Sequence, residues 1–94
     1  MRVKVLYYAT FRQITGIKEE DVEMKDGSKI RDLLFFLFQK YGEDFKSNVM
    51  ENEKIRSAVK ILLNGRDIDF IKGLDTELKP GDSVYFFPSI AGGF

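Results

Sequence analysis

The sequence predicts an α+β fold in which one long helix covers one face of a mixed β-sheet. Three observations carry that prediction. Apolar residues alternate with period two at both ends of the chain, in Val3, Val5 and Tyr7 and again in Val84 and Phe86. Between these ends, Ile30, Leu33, Leu34, Leu37, Phe38 and Tyr41 fall at i, i+3, i+4, i+7, i+8 and i+11, the stripe of an amphipathic helix. Asn64-Gly65 follows a further alternating stretch, and both residues suit the positive φ angles of a type I′ hairpin turn.

Taken in order, Arg2 to Ala9 reads as a strand with Val3, Val5 and Tyr7 on one face and Lys4, Leu6 and Tyr8 on the other. Both faces turn apolar toward its end, as in a central strand. Thr10 to Thr15 is a short irregular or helical link closed by Gly16. Ile17 to Met24 alternates again, with Val22 and Met24 inward and Asp21 and Glu23 outward, and pairs with the first strand in antiparallel fashion. Lys25-Asp26-Gly27 is a turn, Ser28 a helix N-cap and Gly42 the helix stop. Phe35 and Phe36 fall off the helical stripe, and periodicity leaves open whether they reach a flank of the core or an exposed patch. Glu43 to Ser57 is polar, with Phe45, Val49, Met50 and Ile55 too irregularly spaced to predict more than a short helix and a loop. Ala58 to Leu63 is a strand, Arg66 to Phe70 its hairpin partner, Ile71 to Glu77 a connection, Leu78 to Asp82 a turn and Ser83 to Phe87 the last strand.

This order of elements, with the first and last strands parallel at the sheet centre, is that of a β-grasp. With Val3, Val5, Tyr7, Val84 and Phe86 under the helix, Leu6, Tyr8, Leu62, Tyr85 and Phe87 lie on the opposite face, where this short chain has nothing left to cover them. Such a patch exceeds what a monomer leaves exposed without reason.

Composition excludes more than it suggests. The 94 residues fit a single domain, with formal net charge zero and no long block of one sign, so nothing argues for nucleic acid or an anionic membrane. Cysteine and histidine are both absent, which removes thiolate chemistry, the usual zinc sites and the commonest general base. No phosphate-binding Gly-rich loop occurs. The carboxylates Glu19, Glu20, Asp21 and Glu23, Glu51 with Glu53, and Asp67 with Asp69 follow no metal-loop spacing and read as solvated surface. The tyrosines read as core or interface side chains. No stretch has the pattern of a signal peptide or the length of a membrane span, so a cytoplasmic protein is expected.

Pro88 ends the last strand because it cannot donate to a ladder. Ser89-Ile90-Ala91-Gly92-Gly93-Phe94 has little to pack with, so 1–88 are expected to form the domain and 89–94 a flexible C-terminal tail. Extended, that tail spans about 20 Å, enough to deliver a backbone carboxyl group into a pocket of another protein.

Four segments carry a family resemblance. They are Val3-Lys4-Val5-Leu6-Tyr7-Tyr8-Ala9, the Asn64-Gly65 hairpin, the run from Leu74 through Leu78-Lys79-Pro80-Gly81-Asp82 to Val84, and the ending Phe86-Phe87-Pro88 through Gly92-Gly93. Together they resemble the MoaD/ThiS family of ubiquitin-like sulfur carriers, and most of all its MoaD branch, the small subunit of molybdopterin synthase. Pro80 stands where an acidic or polar residue is common. The resemblance implies a carrier with no catalytic residues of its own. A ubiquitin-activating-enzyme-like adenylyltransferase uses ATP to activate the carboxylate of Gly93, a sulfur donor displaces AMP, and the synthase large subunit spends the thiocarboxylate on molybdopterin. Gly92 and Gly93 suit a narrow channel that has no room for a Cβ. Partner contacts are expected at Leu6, Tyr8, Leu62, Tyr85, Phe87, Pro88 and Ile90. Family carriers end at the second glycine, so the resemblance also implies a protease that removes Phe94. Archaeal relatives double as protein modifiers, which leaves isopeptide bonding through Gly93, or a non-activated interaction module, as the alternatives.

Overall fold

The first and last strands of the chain lie side by side. The computed structural model describes residues 1–88. In it β1 (Arg2–Tyr7) pairs in parallel with β7 (Ser83–Phe87), in the register Val5 opposite Val84 and Tyr7 opposite Phe86. β2 (Glu19–Glu23) flanks β1 antiparallel. On the other side β5 (Lys60–Leu63) flanks β7 antiparallel and turns through Asn64 and Gly65, both at positive φ, into β6 (Arg66–Asp67). The strand order is therefore β2-β1-β7-β5-β6, the mixed sheet of a β-grasp.

The helix α2 (Ile30–Tyr41) covers one face and buries Ile30, Leu33, Leu34 and Leu37 against Val3, Val5, Tyr7, Ile61, Val84 and Phe86. Gly42, at φ 82°, stops it. Ser28 is not its N-cap. Its hydroxyl donates to the Lys25 carbonyl at 2.7 Å, closing the preceding turn, and the cap position falls on Lys29, whose N–H donates to the Asp32 carboxylate at 2.8 Å.

The cover is broader than one helix. α1 (Thr10–Thr15) contributes Phe11, and α3 (Glu43–Val49) contributes Phe45 and Val49, all fully buried. Phe45 sits 5.4–6.2 Å between ring centroids from Phe11, Phe38, Tyr41, Phe86 and Tyr7, the hub of an aromatic cluster. The segment after α3 is a hairpin rather than a loop: β3 (Met50–Glu51) pairs with β4 (Lys54–Ile55) across Asn52 and Glu53, both at positive φ. After β6 the chain leaves the sheet earlier than Arg66 to Phe70 predicts, because a short 3-10 turn drops Ile68 into the core. Of the off-stripe aromatics, Phe35 is 65 % exposed and Phe36 38 %.

Glu20 is the polar exception inside, and it corrects the reading of Glu19 to Glu23 as solvated throughout. It lies opposite Val5 on the covered face, with its side chain 11 % exposed. Tyr7 and Tyr41 hydroxyls each donate to one of its oxygens at 2.6 Å, and Lys40 donates to the other at 2.6 Å. Burial alone would raise its pKa, but the three donors outweigh burial and hold the carboxyl below the usual range. Burial, together with the Glu20 contact, pushes the Tyr7 phenol far up, so it stays protonated.

β1 also ends at Tyr7, two residues short of Ala9. Phe11 N–H donates to the Tyr8 carbonyl at 3.1 Å, closing a turn in which Ala9 sits at φ 49° and ψ −119°. Those are the angles of the first central residue of a type II′ turn, a position glycine prefers.

Two predictions follow from these local features. Ala9→Gly relieves the strain and should raise stability by about 1 kcal/mol, read as a higher thermal midpoint. Glu20→Ala leaves the buried Tyr7 hydroxyl without its acceptor and should cost about 1–3 kcal/mol near neutrality. Because the folded-state pKa of Glu20 is lowered, its contribution is present above the unfolded value and lost as pH falls through the folded one. The gap between wild type and Glu20→Ala in urea unfolding should therefore hold steady near neutrality and narrow as pH falls below the ordinary carboxylate value of 4.5.

Candidate functional site

The register that buries Val5, Tyr7, Val84 and Phe86 turns their neighbours to the uncovered face of the sheet. Leu6 lies opposite Tyr85, and Tyr85 opposite Leu62, so a row of apolar side chains crosses the three central strands. The same row ends in a carboxylate on each side, with Glu19 opposite Leu6 and Asp67 opposite Leu62. Lys4 reaches Glu19 at 3.4 Å and Lys60 reaches Asp67 at 3.6 Å. An apolar centre with a charged rim is the usual anatomy of a protein-docking surface.

A second row lies toward the C-terminal end of β7. Tyr8 stacks on Phe87 with centroids 4.3 Å apart and planes within 13°, and Tyr85 lies 6.4 Å from both rings. The Tyr8 N–H donates to the Phe86 carbonyl at 3.2 Å, which extends the pairing of β1 with β7 one residue beyond the strand. Ala9's turn makes this possible, since it holds Tyr8 on the open face while sending Phe11 to the core. Leu6, Tyr8, Leu62, Tyr85, Phe87 and Pro88 are all half-buried, because the aromatic rings shield one another. The open face thus brings Leu6, Tyr8, Leu62, Tyr85 and Phe87 together beside the residue where the chain leaves β7. Ile90, Gly92 and Gly93, and with them the tail expected over 89–94, lie outside the described residues.

Sequence reasoning missed the rim. The pairing of Lys4 with Glu19 and of Lys60 with Asp67 is a property of strand register, and no local pattern announces it. At the β5 end, Asn64 ties its turn to β7: its amide donates to Asp82 at 2.8 Å and its carbonyl accepts from the Ser83 N–H at 2.9 Å. Among the described residues no group of three or more acidic side chains is placed to hold a metal ion. Among the described residues no helix is long and apolar enough to cross a membrane.

The model of the ThiS family matches residues 5–93, from β1 through both glycines of the tail. The chain belongs to the ThiS family. It is thus a ubiquitin-like sulfur-carrier homologue, on a β-grasp body. Among its relatives, small archaeal modifier protein 3 of Haloferax volcanii is 31% identical over 99% of this chain and 100% of its own length. The molybdopterin synthase sulfur carrier subunit of Chlamydomonas reinhardtii is 29% identical over 99% and 100%. The crystal structure of the BexX/CysO complex of Amycolatopsis orientalis contains a chain that superposes with a TM-score of 0.79 at 28% identity, over 97% of this chain and 99% of that one. A homologue of this chain has thus been crystallised in complex with another protein.

The stacking of Tyr8 on Phe87 contributes about 0.5–1.5 kcal/mol beyond the area it buries. Tyr8→Ala should therefore lower stability by roughly that amount plus lost burial, measured by denaturant unfolding. Tyr8→Phe, which keeps the ring, should stay within about 0.5 kcal/mol of wild type.

Proposed function

We propose that this protein is the sulfur carrier of molybdopterin biosynthesis and acts at Gly93. The observation that carries the reading is the family match running through Gly92 and Gly93, a few residues beyond a strand whose open face is apolar at the centre and charged at the rim. The relative named as a molybdopterin synthase sulfur carrier subunit supports the same assignment.

Gly93 is followed by Phe94, so its carboxylate becomes free only when that peptide bond is cut. We infer a protease that makes the cut. An adenylyltransferase partner then binds ATP, the Gly93 carboxylate attacks the α-phosphorus, and pyrophosphate leaves. The resulting acyl adenylate is a competent electrophile. A donor that delivers sulfur as hydrosulfide attacks its carbonyl, AMP departs with the bonding pair, the S–H proton is lost to solvent, and Gly93 becomes a thiocarboxylate. Within the complex with the synthase large subunit the thiocarboxylate sulfur bonds to the pterin precursor, and water attacks the Gly93 carbonyl, breaks its bond to sulfur and restores the carboxylate. The carrier brings neither cysteine nor histidine to these steps. Its contribution is delivery. Gly92 and Gly93 present a backbone without Cβ atoms, and Leu6, Tyr8, Leu62, Tyr85, Phe87, Pro88 and Ile90 anchor the body on the partner, in a cytoplasmic setting. Ordering the tail costs about 1–2 kcal/mol per residue, so the anchor must supply most of the binding energy.

A second reading is favoured by the 31% identity to a small archaeal modifier protein. In it the activated Gly93 carbonyl is captured by a lysine amine of another protein, giving an isopeptide bond. Intact mass separates the two: the carrier gains the difference of sulfur for oxygen on a chain ending at Gly93, whereas the modifier appears as Gly93-linked lysine adducts in digests.

Gly92→Val and Gly93→Val should each abolish restoration of molybdopterin synthesis in a carrier-deficient host while leaving the thermal midpoint unchanged. Retained activity would refute the assignment. Tyr85→Asp should weaken binding to the large subunit at least about tenfold, or 1.4 kcal/mol, in a titration.

A further inference from the structure

The turn that closes β5 on β6 joins two requirements that pull apart. Asn64 and Gly65 sit at φ 51° and 91°, and the pair Asn-Gly is what a two-residue turn of that shape selects. The same pair is chemically labile. Glycine puts no side chain over its own backbone nitrogen, so that nitrogen is free to attack the carboxamide carbon of the residue before it. Around Gly65 the space is open: apart from its chain neighbours, no atom lies within 4 Å of where a Cβ would stand. Its N–H donates to no backbone carbonyl among the described residues, and both turn residues are exposed to water. The other asparagines, Asn48 and Asn52, precede Val49 and Glu53, whose side chains screen the corresponding nitrogens.

What the turn withholds is freedom of the carboxamide. Asn64 Nδ2 donates to Asp82 Oδ1 at 2.8 Å, and Asn64 Oδ1 accepts from the Ser83 N–H at 2.9 Å. Asp82 is fixed in its turn. Its other carboxylate oxygen accepts from the Lys79 N–H at 2.7 Å, and its backbone carbonyl accepts from the Lys4 N–H at 2.9 Å. Attack on Asn64 Cγ requires the carboxamide to rotate its face toward the Gly65 nitrogen. With both ends tied, it rotates only by breaking both bonds.

We propose that Asn64 is a latent deamidation site, and that its clasp to Asp82 and Ser83 is what holds the reaction back in the folded chain. When the clasp opens, the Gly65 nitrogen bonds to Asn64 Cγ and gives up its proton, the bond from Cγ to the side-chain nitrogen breaks, and ammonia leaves carrying that proton. Water then opens the resulting succinimide at one of its two carbonyls, which gives aspartate or isoaspartate. Either product damages the turn. Aspartate sets a carboxylate against Asp82 where a donor stood at 2.8 Å. Isoaspartate adds a methylene to a main chain whose two-residue loop fixes the pairing of Leu63 with Arg66. Leu62, on the open sheet face, is paired in the same ladder. The inference goes beyond the carrier reading and does not depend on Gly93.

The test compares the folded full chain with the peptide acetyl-Leu-Leu-Asn-Gly-Arg-Asp-amide at mildly alkaline pH, well below the thermal midpoint, and follows deamidation at Asn64 by peptide mapping. Wild type should react at least about tenfold more slowly than the peptide, the factor that the net strength of one or two hydrogen bonds supplies. Asp82→Ala should bring Asn64 close to the peptide rate. Asp82→Ser, a shorter side chain that keeps a hydroxyl for the Lys79 N–H, should accelerate the reaction likewise, so the comparison stands even where the alanine variant does not fold. Glu20→Ala lowers stability away from the turn and should leave the Asn64 rate unchanged. Asn64→Asp, the direct product, should lower the thermal midpoint. A wild-type rate equal to that of the peptide, no acceleration in the folded Asp82 variants, an equal acceleration in Glu20→Ala, or an unchanged midpoint in Asn64→Asp would overturn the proposal.

Discussion

Parallel pairing of β1 with β7 is the constraint on which the rest of the molecule depends. Residues opposite one another in a ladder share a face, so Val5 beside Val84 and Tyr7 beside Phe86 commit every neighbour in both strands. A slip of β7 by one residue would turn Tyr85 under the helix and expose Val84 and Phe86. Because the pairing joins the two ends of the chain, the strand that leads into the glycines sits at the middle of the sheet. Its exit lies among the side chains that the register leaves uncovered.

Two unusual local features occur at that same end of the sheet. Ala9 takes a backbone conformation that glycine would accept more readily, and in doing so parts Tyr8 from Phe11, one for each face. Glu20 brings a carboxylate against the covered face, where Tyr7, Tyr41 and Lys40 satisfy it and cross-link β2, β1 and the end of α2. Strain and buried polarity both oppose stability taken alone. Here both lie at the end of the sheet where β7 stops.

Much of this was legible from residues. The helical stripe from Ile30 to Tyr41, the Asn64-Gly65 turn and the alternation of β1 and β7 are period signals, and packing agrees with them. The sheet-face cluster of Leu6, Tyr8, Leu62, Tyr85 and Phe87 followed from the same parity. Glu20 was equally accessible, since it shares parity with Val22, but a run of four acidic residues in five reads as solvent before parity is counted. Ser28 looked like a cap because a hydroxyl one residue early satisfies the same pattern; the turn at Lys25 claimed it instead. Ala9 carries no turn signal at all. The hairpin from Met50 to Ile55 was hidden for a related reason, because its turn residues, Asn52 and Glu53, include one that ordinarily avoids positive φ. The rim of Glu19 and Asp67 depends on pairings between distant strands, which no window of sequence contains.

The outermost strands bear on how such a molecule survives at high concentration. β2 offers its outer edge with Glu19, Asp21 and Glu23 along it, and β6, at the other margin, is only two residues long. Charged side chains along an edge strand must lose water before a copy can pair there, and a two-residue ladder gives it too little to grip. A body that keeps a hydrophobic face ready for partners is thereby protected against polymerising through its own backbone.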